Sequence, residues 1–267
     1  LLAIIIIMKF YYFYPNILDR RLLFALSICF FVNTIGTAMN NFDVKTERFY
    51  QQISMGQIHV YHAFPNKLEN ITQPPVFLLH HSPNSGQVYH AFQPLLAKNR
   101  HVYAPDTPGF GMSDKPNTAP SVEDFANWMI ELMDSLGIDQ IDILGYHTGA
   151  MTTTQMSLDA PERIRKIVLI GLPIFNETER AAFMKNPWPA PKSSSDTAYI
   201  PNQWAASLKW RGPDMTLEMV KGTFLAKLQA GNTAWWGAMA AFKYPMSERL
   251  AKVKHPILAI NPKDDLW

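Results

Sequence analysis

Two kinds of apolar pattern alternate along most of this chain. Val76 to Leu79 and Ile167 to Ile170 are apolar at every position, Ile141 to Leu144 is nearly so, and His255 to Asn261 repeats the pattern in its middle, near the end. Runs of this kind predict strands buried on both faces of a parallel sheet, and His101 to Ala104 reads as one more. Between them the apolar positions fall at helical spacing. Val88, Phe92, Leu95 and Leu96 predict a covering helix over Val88 to Lys98, and Thr152 to Asp159 predicts a buried one. Phe125, Met129, Leu132, Met133 and Leu136 form the stripe of a helix over Ser121 to Leu136, opened by the capping sequence Ser-Val-Glu-Asp. Ahead of these, Arg48 to Ser54 and Gln57 to His62 flank Met55-Gly56 and predict an antiparallel hairpin at a sheet edge. Strand and helix in alternation mean the α/β class, with right-handed crossovers.

The alternation breaks after Gly171. Pro173, Pro187, Pro189, Pro191 and a Ser193-Ser194-Ser195 run interrupt it, and the chain to Tyr244 is rich in Trp and Met. Ser247 to Val253 and the strand after it resume the earlier pattern. The expected organisation is an N-terminal segment over 1–40, a first part of the main domain over 41–172, an inserted region over 173–246 and a second part over 247–267.

The N-terminal segment has Lys9, Arg20 and Arg21, then an apolar run from Leu22 to Val32, then Ile-Gly-Thr-Ala ending at Ala38. That is the order of an export signal, with Met8 as a candidate start; the alternative is a membrane anchor over 22–38. Cys29, the chain's single cysteine, lies inside this run, so the rest offers no thiol for a disulfide or a metal.

Charge narrows the partners. A net charge of +2 over 267 residues is small, and no Lys/Arg cluster is interleaved with aromatics, so a nucleic-acid partner is not implied. The histidines are scattered without a His-x-x-x-His pair, and neither a metal nor a cofactor is expected.

The chemistry gathers at Ile141 to Ala150, Ile-Asp-Ile-Leu-Gly-Tyr-His-Thr-Gly-Ala. A strand runs into a turn and then a helix; Gly145 and Gly149 clear the tight turn of side chains, and His147 stands at its apex. Two loops follow apolar strands elsewhere: His80-His81-Ser82-Pro83-Asn84-Ser85-Gly86, and Pro105 to Asp114 with its glycines at 109 and 111.

With these flanks the turn resembles the nucleophile elbow of the α/β-hydrolase superfamily, Gly-x-Ser-x-Gly, with His in place of Ser. The second loop is close to that family's Asp-x-x-Gly-x-Gly-x-Ser sequence, in which Asp106 and Ser113 would organise the loop. The resemblance implies a mostly parallel, doubly wound sheet with a helical cap inserted over the site. It implies an oxyanion hole made by the backbone N–H groups of Ser82 and Thr148, with His81 standing where the family usually has Gly. It places the acidic triad member at Asp264 first and Asp265 second. The catalytic histidine, with the family's last strand and helix, would follow residue 267. Trp188, Trp204 and Trp235 of the cap, together with His81, become candidates for lining a pocket for a small apolar substrate.

Histidine at the elbow leaves three chemistries open. His147 as general base on water would give a hydrolase of ester-like or related carbonyl substrates without an acyl-enzyme, since an acyl-imidazole is itself labile. Loss of chemistry would leave an inactive or ligand-binding relative. Base-catalysed lyase or cofactor-free oxygen chemistry is the third.

Overall fold

The computed structural model describes residues 43–185, 195–209, 211–212 and 215–262. The export or anchor segment with Cys29, the candidate pocket residue Trp188 and the candidate acids Asp264 and Asp265 lie outside the described residues.

Seven strands form one sheet: β1 (Val44–Ile53), β2 (Gly56–Pro65), β3 (Val76–Leu79), β4 (Val102–Pro105), β5 (Ile141–Tyr146), β6 (Ile164–Ile170) and β7 (Ile257–Ile260). Their spatial order is β1-β2-β4-β3-β5-β6-β7. β1 pairs with β2, and β2 with β4, in antiparallel fashion; from β4 through β3, β5 and β6 to β7 every pair is parallel. The hairpin therefore sits at one edge, and the elbow strand β5 lies between β3 and β6 near the sheet's centre.

Side-chain alternation fills both faces of this sheet. Phe77 and Leu79 of β3 join Met129, Met133, Ile143 and Ile167 on one side, while Val76 and Leu78 join Tyr89, Val102 and Leu144 on the other. A strand flanked by two cores has no polar face, which is why β3 reads as an unbroken apolar run. Helix α1 (Gln93–Leu96) belongs to the second side, and α2 (Val122–Ser135) and α3 (Thr148–Asp159) to the first. Helix α2 opens with the capping box read from the sequence: the Ser121 hydroxyl accepts the Asp124 N–H at 3.1 Å, and the Asp124 carboxylate accepts the Ser121 N–H at 2.8 Å.

Helix α3 is buried on nearly every side although it holds Thr152, Thr153, Thr154, Gln155 and Ser157. Much of their polarity is internal: Thr154 and Ser157 donate to the carbonyls of Ala150 and Thr154 at 2.9 and 2.7 Å, and Gln155 accepts the Tyr244 hydroxyl at 2.8 Å.

One helix expected from periodicity differs. Val88 to Lys98 forms a 3-10 turn (Gly86–Tyr89) and then the single turn of α1, with Val88 and Phe92 exposed. The buried residues are Tyr89, Gln93 and Ala97. Tyr89 donates its hydroxyl to the Leu79 carbonyl at 2.9 Å, and the Gln93 amide donates to the carbonyls of Tyr61 and Val102 at 3.0 and 3.3 Å. Satisfying strand-edge carbonyls decides which side faces the sheet, and an apolar count does not register that.

Between β6 and β7 the chain forms α4 (Glu177–Lys185), α5 (Tyr199–Lys209), α6 (Leu217–Ala230) and α7 (Trp236–Lys243), followed by the short α8 (Met246–Leu250). No strand interrupts this stretch among the described residues. No helix among them is long and apolar enough to cross a membrane.

Candidate active site

β5 ends at Tyr146, α3 begins at Thr148, and His147 is the single residue between them. Its backbone sits at φ 50°, ψ −113°, and it is the one non-glycine with positive φ among the described residues. Such a conformation costs roughly 1–3 kcal/mol and survives only where the surroundings fix it. Here the neighbouring glycines do so. A Cβ on Gly145 would lie 2.6 Å from the Ala150 Cα, and one on Gly149 would collide with the Leu79 carbonyl. The His147 N–H donates to the Ile170 carbonyl at 3.0 Å, while its own carbonyl accepts the Ala150 N–H at 2.8 Å. The imidazole is half-buried, edge-on to Tyr146 at 4.4 Å and 5.8 Å from the His81 ring.

The two candidate oxyanion donors are brought together with one feature that the sequence did not reveal. The Ser82 N–H donates to Thr148 Oγ1 at 2.8 Å, and that hydroxyl donates on to Ser82 Oγ at 3.2 Å. A side-chain oxygen thus occupies the first amide of the expected hole. The Thr148 N–H lies in the first turn of α3, where amides have no carbonyl within their own helix. Helix α7 closes against this point: a Cβ on Gly237 would collide with Ser82 Oγ.

His80 and His81 play different parts. His80 is buried, donates Nδ1–H to the His81 carbonyl at 2.9 Å and accepts the Thr107 N–H on Nε2 at 2.9 Å, so both ring nitrogens tie loops together. Burial holds its pKa below the usual histidine range. His81 Nε2 lies 2.8 Å from the Asn84 amide nitrogen, and its Nδ1 is buried without a hydrogen-bond partner among the described residues. Burial, reinforced by the His147 and His80 rings, lowers its pKa to about 3, so the ring is neutral at physiological pH.

Asp106 is the hub of the second loop. One carboxylate oxygen accepts the Gly86 N–H at 2.7 Å, and the other accepts the Met112 N–H and the His59 Nδ1–H, each at 2.9 Å. Ser113 completes the circuit, donating to the Asp106 carbonyl at 2.6 Å and accepting the His59 N–H at 2.9 Å. These are organising roles. His59 was missed in the sequence because nothing in its spacing from Asp106 marks the pair.

The tryptophans spread out. Trp204 packs edge-on against Phe224, 5.3 Å between ring centroids, joining α5 to α6. Trp235 precedes α7, and Trp236 lies over Gly109, where a Cβ would sit 3.3 Å from the indole. Thr233 donates to the Gly109 carbonyl at 2.7 Å, fixing the helical segment to the Asp106 loop.

A profile of the family described as alpha/beta hydrolase fold matches residues 74–200. A 2-hydroxymuconate semialdehyde hydrolase of Pseudomonas sp. (strain CF600) is 38% identical over 79 residues, which are 29% of this chain and 28% of that protein. An uncharacterized carboxylesterase, nap, of Bacillus subtilis (strain 168) is 26% identical over 142 residues, 53% of this chain and 46% of that protein. The chain thus spans less than half the length of these curated relatives. Among solved structures, epoxide hydrolase A of Mycobacterium thermoresistibile superposes with a TM-score of 0.64 at 16% identity, covering 81% of this chain and 82% of the other. Sheet order, a strained residue at a Gly-x-His-x-Gly turn and this shared structure agree: the chain has the α/β-hydrolase fold, and its residues 74–200 match that family's profile.

Proposed function

We propose that the chain is part of a cofactor-independent hydrolase of a small apolar ester or related carbonyl compound, in which His147 acts as general base on water. The observation that carries this is His147 itself, the one non-glycine residue held at positive φ among the described residues, beside Ser82 and Thr148. Strain of that kind is retained where it aims a reacting group. The relatives named as a semialdehyde hydrolase and a carboxylesterase support hydrolysis as the reaction class.

In the proposed reaction the His147 imidazole takes a proton from water, and the hydroxide adds to the substrate carbonyl carbon. The oxygen that gains charge is held by the N–H groups of Ser82 and Thr148, for which the Thr148 hydroxyl must release the Ser82 amide. Collapse expels the alkoxide, which takes the proton back from the imidazolium, leaving acid and alcohol. The helices between β6 and β7 would act as the cap, with Trp188, Trp204, Trp235 and His81 as candidate substrate contacts. Asp264, or Asp265, would supply the acidic group. Export, or anchoring through 22–38, would set where this happens.

The test is turnover of p-nitrophenyl acetate and butyrate by the full-length protein, with fluorophosphonate labelling alongside. Turnover without a covalent adduct is the expected result; an adduct on Ser82 would replace His147 with a serine nucleophile.

One observation favours a second reading, a ligand-binding relative without chemistry: the Ser82 N–H is already taken by Thr148 Oγ1. Saturable binding of the same esters with no turnover would select it.

A further inference from the structure

The hairpin edge of the sheet carries a cleft that the elbow does not use. Its volume is about 480 Å³, and its walls include Arg48, Tyr50, His59, Tyr61, Gln87 and Gln229, none of them in the elbow or the His80-His81-Ser82 loop. The period of two in a strand builds it. Arg48 pairs across the hairpin with Tyr61, and Tyr50 with His59, so these four side chains share one face of the ribbon. Arg48 and His59 are then diagonal neighbours, with Cα atoms roughly 7–8 Å apart. From the other side come Gln87, at the 3-10 turn after β3, and Gln229 of α6, whose amide also holds the Gly111 carbonyl at 2.8 Å.

His59 makes this more than a surface dent. The residue is only 4% exposed, and its ring lies 5.1 Å from Tyr50 and 4.7 Å from Tyr61. Its Nδ1 is committed to Asp106, a carboxylate that only accepts, so Nδ1 carries a proton. The second ring nitrogen, Nε2, has no protein partner among the described residues, on a side chain that lines the cleft. Arg48 stands beside it, exposed and without a carboxylate at ion-pair distance among the described residues. An exposed, unneutralised guanidinium beside a buried imidazole and two tyrosine rings is a recognition arrangement for negative charge on an aromatic-sized body.

The geometry points to a binding site, separate from the elbow, for a small molecule bearing a carboxylate or phosphate group. Arg48 grips the oxyanion, and the faces of Tyr50 and Tyr61 take the body of the molecule beside the His59 ring.

Titration of the full-length protein with benzoate, phenyl phosphate and inorganic phosphate, followed through the His59 ring resonances by NMR, tests this. The expected result is a saturable shift of those resonances, at least about tenfold weaker in Arg48→Ala, partly restored in Arg48→Lys, and unchanged in His147→Ala. Arg48 is on the surface, so the variant tests binding rather than folding. Saturation by inorganic phosphate identifies a free anion as sufficient; saturation by benzoate or phenyl phosphate alone identifies an aromatic acid or ester. The absence of a His59 shift with all three probes overturns the assignment, as does a shift indifferent to Arg48→Ala or abolished by His147→Ala.

Discussion

The Ser82 amide and the Thr148 hydroxyl are hydrogen-bonded at 2.8 Å, so the residue after the elbow fills with its side chain the hole it is expected to help build with its backbone. In the proposed reaction, a substrate carbonyl has to compete with that hydroxyl. Replacing Thr148 with Ala leaves both amides in place and removes the competitor, and one hydrogen bond is worth about 0.5–1.5 kcal/mol net. Thr148→Ala is expected to raise kcat/KM on p-nitrophenyl acetate by about two- to tenfold. A fall of similar size would mean that the hydroxyl positions substrate instead.

The strain at His147 gives a stability prediction independent of activity. A residue at φ 50° is relieved by glycine and not by alanine. His147→Gly should therefore melt higher than His147→Ala, by about 1 kcal/mol at equal loss of side-chain contact. Paired thermal denaturation of the two variants reads the difference, and equal melting temperatures would mean that the turn relaxes.

Asp106 is expected to be among the most costly single polar residues to remove. Three N–H donors end on its carboxylate, from Gly86, Met112 and His59, and those of Gly86 and His59 would be left buried. Asp106→Ala should lose about 3 kcal/mol or more, from unsatisfied buried donors alone. Asp106→Asn keeps one acceptor oxygen and should lose less. Urea unfolding of the two variants checks the order.

How much of this was legible in the sequence depended on what kind of force was at work. β3, β5 and α2 were visible because burial repeats along them, and the Ser121–Asp124 capping box because its partners are three residues apart. Tyr89 and Gln93 were not, since their burial is set by carbonyls of strands that only the fold brings near. The elbow was legible through Gly145 and Gly149, whose missing side chains make room for the backbone of β3 and α3. The Asp106–His59 bond spans 47 residues, and the Thr148 rotamer that occupies the Ser82 amide leaves no trace in composition or spacing.

Buried histidines set the response to acid. His62, His80, His81 and His101 all have pKa values lowered by burial, His81 to about 3. Each stays neutral in the fold at a pH where it would be protonated in the unfolded chain, so the unfolded state binds more protons. Their contribution is complete above the ordinary histidine pKa of about 6.5 and is lost as pH falls from there toward the folded values. Glu47, lowered chiefly by its hydrogen bond to His62, acts in the same direction at lower pH, weakly because it is largely exposed. The urea midpoint should fall steadily from about pH 6.5 downward, and less steeply in His81→Gln. A midpoint flat to pH 4 would contradict these environments.

Ester hydrolysis by the full-length protein and by His147→Ala, with free imidazole as the measure of background, tests the central claim most directly. The account predicts turnover that falls by about 10²–10⁴-fold to background in the variant, the range a positioned general base supplies. Undiminished turnover in His147→Ala would contradict it and move the chemistry away from the elbow.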